Sequence, residues 1–304
     1  MLPKLEGFAA AVLGRLDTAA LAHVSGDLEA FDATIQSRDD LSAVLTDTSI
    51  THVARGLVVH DLLENKVSPE ALRILVYAAS TVPAQEVPAA VSELTYAARA
   101  LRDIGDFPLP GLSLLDARRR VSGFADALLE DVNTDNFSSI EDDLFRWART
   151  VEGNDGLREL LLDREAPVGA RLGLTDQLLD GKVNPIALEL ARFTIVGGRP
   201  RDVVGTLDYL VNYVAQSRDW RIARVYTARE LSGDSQGELV DSLHALTGKD
   251  VELQIADEPS LLGGVLIEIG DLRLDASTRG RLGALHDVVA ASGRDLESAL
   301  QRNN

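Results

Sequence analysis

The sequence predicts a mainly α protein: two tandem antiparallel helical bundles of about six helices each, followed by a small α+β domain. Three observations predict it. LLENKVSPEAL at Leu62–Leu72 returns 116 residues later as LLDGKVNPIAL at Leu178–Leu188, with seven of eleven positions identical. Apolar residues recur at helical spacing through both copies. After Trp220 the apolar period shortens to two, the spacing of strands.

The repeat keeps its register without a gap. Gly7–Ala9 falls on Gly123–Ala125, Asp39 and Leu41 on Asp155 and Leu157, Leu45 on Leu161, Asp47 on Asp163, Ala54 on Ala170 and Leu94 on Leu210. Such a period is too long for a solenoid unit and reads as a duplicated domain, residues 1–102 and 117–218. Phe8, Val12, Leu13 and Leu16 form one buried helical stripe, and Phe124, Leu128, Leu129 and Val132 repeat it. Ser68-Pro69 and Asn184-Pro185 each place a capping side chain before a proline at the first helical position, where the missing N–H costs nothing. Between the copies, residues 103–116 (DIGDFPLPGLSLLD) contain two prolines and two glycines, the composition of a linker.

Residues 219–304 read as the α+β domain. Arg221–Ala228 is short and rich in strand formers, and Val251, Leu253 and Ile255 alternate with polar neighbours. Val265–Ile269 and Leu272–Asp275 flank Gly270-Asp271, a connection suited to a hairpin. Between the first two strands Ser232 caps a helix carrying Leu239, Leu243 and Leu246, ended by Gly248. A last helix begins near Ser277 and carries Leu282, Leu285 and Val289.

Composition narrows the function. The longest stretch without a charge, Ile74–Gln85, is twelve residues, short of the roughly 20 that cross a bilayer. The N-terminus shows no signal-peptide pattern, which predicts a cytoplasmic protein. With no cysteine, thiol chemistry and cysteine zinc sites are excluded. A net charge of −18 repels phosphate backbones and anionic lipid, so neither nucleic acid nor membrane insertion is expected.

No motif carries catalysis. GDSQG, Gly233–Gly237, matches the nucleophile elbow, with His286 as a base, but the elbow needs a strand tip in a broad parallel sheet. Ser235 is instead predicted in the first turn of a helix beside Ser232. His23, His52, His60, His244 and His286 form no i, i+4 pair and read as surface residues. The GKV at Gly181 and GKD at Gly248 lack the Ser/Thr of a P-loop. Glu141-Asp142-Asp143 and Asp39-Asp40 read as charges at helix beginnings, with Ser138 and Glu141 at capping-box spacing. GGRPRD, Gly197–Asp202, reads as a helix C-cap rather than an anion loop. No catalytic residue, cofactor or metal site is expected.

The words TA-x-x-LS at Thr227–Ser232, TGK at Thr247–Lys249, D-x-P-S-L-L-G-G at Asp257–Gly264, IGD at Ile269 and D-x-S at Asp275–Ser277 stand in the order and spacing of one family. In them the chain resembles the ATP synthase delta subunit, the bacterial relative of the mitochondrial oligomycin-sensitivity-conferring protein. The second copy is similar to that family's N-terminal six-helix bundle, from GFADAL at Gly123 to GGR at Gly197–Arg199, so the resemblance covers about 117–290. Ala276 stands where the family usually has glycine. The bundle at 1–102 is similar to the insertion of actinobacterial b–delta fusions, without their membrane helix; it has Thr81, Val82 and Pro83 in place of GGR.

The resemblance implies a non-catalytic stator that ties the catalytic head to the peripheral stalk, on the cytoplasmic side of the plasma membrane. It implies that an N-terminal helix of an alpha subunit lies between the first and fifth helices of the bundle. Here Phe124, Ala127 and Leu128 would line one side and Val203, Leu207 and Leu210 the other; the same six would equally fill the bundle core. It implies that the C-terminal domain holds the end of the b subunit, with Leu261, Leu262, Gly263, Gly264, Val265, Leu282 and Leu285 as candidates. The first bundle would make a second alpha contact or brace the stalk. A serine hydrolase built on Ser235 and a helical scaffold unrelated to ATP synthase are the alternatives.

Overall fold

The computed structural model describes residues 1–278 apart from positions 131, 164, 220, 230, 248–250, 262 and 271. The chain divides into two compact units, Met1–Ala215 and Gln216–Asn304. The predicted last helix, with Leu282, Leu285, His286 and Val289, lies outside the described residues, as does the expected helix stop at Gly248.

The first copy is built of α1 (Pro3–Leu13), α2 (Thr18–Ser37), α3 (Asp39–Thr46), α4 (His52–Leu63), α5 (Pro69–Thr81) and α6 (Val87–Ile104). The second is built of α7 (Leu114–Leu129), α8 (Thr134–Gly153), α9 (Asp155–Leu162), α10 (Val168–Leu179), α11 (Pro185–Val196) and α12 (Val203–Asp219). α2, α3 and α4 recur as α8, α9 and α10 at the sequence offset, residue for residue, so the repeat is one of structure. The irregular segment between copies is shorter than predicted: Ser113 accepts from the Asp116 N–H and starts α7 inside the expected linker.

Local chemistry repeats with the backbone. Asn65 and Gly181 occupy the same place after α4 and α10 and share the left-handed conformation, at φ 60° and 68°. Only glycine adopts it without strain, and asparagine is among the next best. Gly181 has open space around it. Gly181→Ala should therefore cost about 1 kcal/mol through backbone strain alone, and Asn65→Gly should be close to neutral, both read by urea denaturation.

Two capping expectations are corrected. Asn184 Oδ1 accepts from the Ile186 N–H as predicted, but Ser68 makes no such cap; its N–H and Oγ both donate to Asp27, at 2.7 and 2.6 Å. Asp143 takes the corresponding role and accepts from the Asn184 N–H. Glu141, Asp142 and Asp143 therefore lie inside α8 rather than at its start, which Asn133 precedes, and Ser138 begins no helix.

The cores match in the same way. Phe8 stacks on Tyr77, and Phe124 on Phe193, each at 3.8 Å between centroids. Leu28 and Leu144, Ile74 and Leu190, and Leu94 and Leu210 are buried pairs at the repeat offset. The two sets form one continuous apolar cluster.

What joins them is α1 against α7, the most extensive helix pairing in this unit. A Cβ placed on Gly7 would lie 1.8 Å from the Arg120 carbonyl oxygen, and one on Gly123 would lie 1.8 Å from that of Lys4. Since Gly7 corresponds to Gly123 and Lys4 to Arg120, the contact is isologous, as in a two-fold dimer written into one chain.

The second unit holds a four-stranded sheet of order β2-β1-β3-β4, from β1 (Ile222–Thr227), β2 (Glu252–Asp257), β3 (Val265–Ile269) and β4 (Leu272–Asp275). β1 and β2 are parallel, joined through α13 (Gly233–Thr247), and the other pairings are antiparallel. Ala223, Val225, Leu243, Ile267 and Ile269 form its core. β3 and β4 pair as the hairpin that the sequence predicted, with Gly270 at φ 54°.

Candidate functional site

The seam between the copies holds a buried ion pair. Glu6 on α1 and Arg120 on α7 pair at 2.9 Å, both side chains 3% exposed. Arg120 also donates to the carbonyls of Gly197 at the end of α11 and Pro110 in the connecting segment. Burial pushes the Glu6 carboxyl above its ordinary value, against the opposing pull of Arg120.

A second cluster forms around Asp126 on α7. It accepts from Tyr77 Oη of the first copy and Tyr213 Oη of the second, each at 2.6 Å, and pairs with Lys4 at 3.0 Å. Burial first, and then the Asp126 charge, raise both phenols well above the ordinary tyrosine range. Arg73 on α5 reaches across to Glu130 and the Ala127 carbonyl. The seam is thus close-packed backbone in the middle with charged and hydroxyl contacts around it.

Of the alpha-groove candidates, Phe124, Ala127 and Leu128 lie on α7, the first helix of the second copy. Val203, Leu207 and Leu210 belong to α12, the sixth helix of the copy, not the fifth, which is α11. Leu207 and Leu210 are 0% exposed, Val203 1%, and Ala127 and Leu128 5% each; Phe124 alone is half-buried, against Phe193. All six contribute to the bundle core.

In the second unit the family words converge. Gly264 has φ 74°, and a Cβ there would meet the Ala276 carbonyl oxygen at 2.5 Å. Gly263 O accepts from the Thr278 N–H and Val265 O from the Ala276 N–H. Asp275 Oδ1 accepts from the N–H and Oγ of Ser277, which hold its carboxyl below the usual range. The glycine pair is therefore a cradle for the D-x-S segment, two motifs separate in sequence and joined in space. Leu261 is buried and Val265 half-buried; Leu262, Leu282 and Leu285 lie outside the described residues.

The GDSQG serine is no elbow. Ser235 is exposed in the first turn of α13, where its N–H donates to Ser232 Oγ. Among the described residues no group of His, Asp and Glu side chains is arranged to hold a metal ion. Likewise, no helix is long and apolar enough to cross a membrane.

Sequence reading missed Glu6, Tyr77, Arg120, Asp126 and Tyr213, because each meets a partner from another helix far along the chain. The only trace of their seam was the repeated GFA.

Residues 121–289 match the family model for the ATP synthase delta (OSCP) subunit. The chain is 30% identical over 256 residues to the ATP synthase subunit delta of Kineococcus radiotolerans, covering 84% of this chain and 83% of that one. It is 29% identical over 261 residues to that of a Parafrankia species, covering 86% and 84%. Against the subunit of Nocardia farcinica it is 35% identical over 166 residues, 54% of this chain and 61% of that one. The first two matches are longer than everything from residue 117 to the end, so they extend into the first copy.

Proposed function

Because the chain belongs to the ATP synthase delta (OSCP) family, whose members are non-catalytic peripheral-stalk subunits, we propose how its parts divide that work. A stator must resist torque, and stiffness comes from packing that admits no hinge. The observation that supports this reading is the isologous α1–α7 seam, which makes the doubled bundle one body.

In this reading the second bundle, 117–218, takes the N-terminal helix of an alpha subunit along its α7–α12 side. Phe124, Ala127, Leu128, Val203, Leu207 and Leu210 form the floor beneath the contact, and half-buried Val204 and Val211 its apolar surface. The C-terminal domain, 219–304, takes the end of the b subunit near Leu261–Val265 and the segment beyond, including Leu282 and Leu285. The first bundle, 1–102, with its link through 103–116, braces the second. The assembly lies peripherally on the cytoplasmic side of the plasma membrane, without nucleic acid or bilayer insertion.

The absence of cysteine makes the test direct. Asn212→Cys on α12 and Ser260→Cys beside Leu261 are exposed sites for a single environment-sensitive dye. An alpha N-terminal peptide should shift the Asn212 dye saturably and leave the other unmoved, and a soluble C-terminal piece of b should do the reverse. Interchanged responses, or none, would overturn the division.

A further inference from the structure

Between α8 and α10 lies a cavity of about 240 Å³, lined by Trp147 and Thr150 on one side and Leu178, Leu179, Lys182 and Val183 on the other. Counting back by the repeat offset, Asp27, Thr34, Leu62, Leu63, Lys66 and Val67 stand unchanged opposite Asp143 and five of these lining residues, with Phe31 in place of Trp147. Other positions have diverged: at the seam Glu6 corresponds to Ser122, and Arg73 to Glu189.

Structure explains part of this identity. Asp27 and Asp143 tie the starts of α5 and α11. Lys66 and Lys182 donate to the carbonyls of Leu62 and Leu178, satisfying helix ends. It does not explain Leu178, whose side of α10 leaves it 39% exposed. Beyond these carbonyl contacts, neither lysine has a carboxylate partner among the described residues, in a chain of net charge −18. Arg146, at the same groove, is already paired with Asp143.

We infer that this groove is a docking site, present once in each copy, for an amphipathic helix of a neighbouring subunit. The helix inserts a large apolar side chain against Trp147 and Leu178 and sets a carboxylate on Lys182. The cavity is smaller than the roughly 300–1,000 Å³ of small-molecule pockets, which favours one or two anchoring side chains over a cofactor. The Lys182 ammonium, held by backbone carbonyls and by no carboxylate, selects an acidic partner over a basic one. The inference rests on membership of a stalk complex but uses a different face from the α7–α12 contact.

Trp147 is the reporter. In full-length Trp220→Phe it is the sole tryptophan. Overlapping helical peptides covering the soluble parts of the other ATP synthase subunits are titrated, the alpha N-terminus included. A peptide with an acidic residue one turn from a large apolar one should shift Trp147 emission saturably. Calorimetry should count two equivalents, falling to one in Leu62→Asp.

Leu178→Asp, at an exposed position, should weaken the Trp147 response about tenfold or more. Lys182→Met should weaken it at low salt and much less at high salt. Helical circular dichroism verifies that each variant is folded. No response, a response indifferent to Leu178→Asp, or one equivalent untouched by Leu62→Asp would overturn the inference. A silent Trp147 with a responsive Asn212 dye would remove this groove alone. An alpha peptide seen by Trp147 and not at Asn212 would keep the groove and remove the α7–α12 contact.

Discussion

Gly123→Ala is expected to destabilise the first unit by about 3 kcal/mol or more, a large effect for one methyl group. The added Cβ would stand 1.8 Å from the Lys4 carbonyl oxygen and 2.7 Å from its carbon. Both atoms are backbone, so no rotamer relieves the clash, and α1 must retreat from α7. Retreat opens the apolar cluster shared by the copies and stretches the Glu6–Arg120 pair. Gly7→Ala should cost a similar amount, since its Cβ meets the Arg120 carbonyl at the same distance.

The double variant should cost clearly less than the sum, because one displacement relieves both clashes. Gly26→Ala in α2 is the control. Nothing lies within 4 Å of a Cβ there, and replacing an interior helical glycine should stabilise by up to about 1 kcal/mol. Urea denaturation followed by helical circular dichroism measures all four. A Gly123→Ala midpoint equal to that of the parent would mean the seam is not close-packed.

Glu6→Ala should cost about 3–5 kcal/mol, because it leaves the Arg120 guanidinium buried without its counter-charge. Glu6→Leu combined with Arg120→Met should recover much of that loss. Both ions are then gone, and with them the desolvation cost that already pushes the Glu6 carboxyl up. Recovery would be incomplete, since the Gly197 and Pro110 carbonyls also lose a donor. A double-mutant cycle in the same denaturation assay gives the coupling. A cycle showing no coupling would mean the pair is not formed in solution.

The two predictions concern a joint that the sequence marked but did not describe. GFA repeated at Gly7 and Gly123 was visible as a match of register; that the two stretches face each other was not. Each glycine has two unremarkable neighbours in its own helix, and only the crossing of α1 over α7 makes the missing Cβ necessary. The Asp126 cluster is hidden for the same reason: Lys4, Tyr77 and Tyr213 come from α1, α5 and α12. The groove residues show the opposite failure. Val203, Leu207 and Leu210 were legible as apolar at helical spacing, but periodicity does not tell a core stripe from a lined groove.

By itself the sequence determined the duplication, the helical class of both copies, the strand positions and hairpin of the C-terminal domain, and the family, because these depend on period, turn chemistry and ordered words. Asn65 and Gly181 were set locally by the backbone conformation each turn requires. Only the tertiary structure decided that the copies form one body around α1 and α7, that Ser68 gives its hydrogen bonds to Asp27, and that Gly263 and Gly264 cradle the D-x-S segment. Each of these depends on atoms from distant segments meeting within hydrogen-bond or van der Waals range. One chain segment read alone carries no record of what another will bring to it.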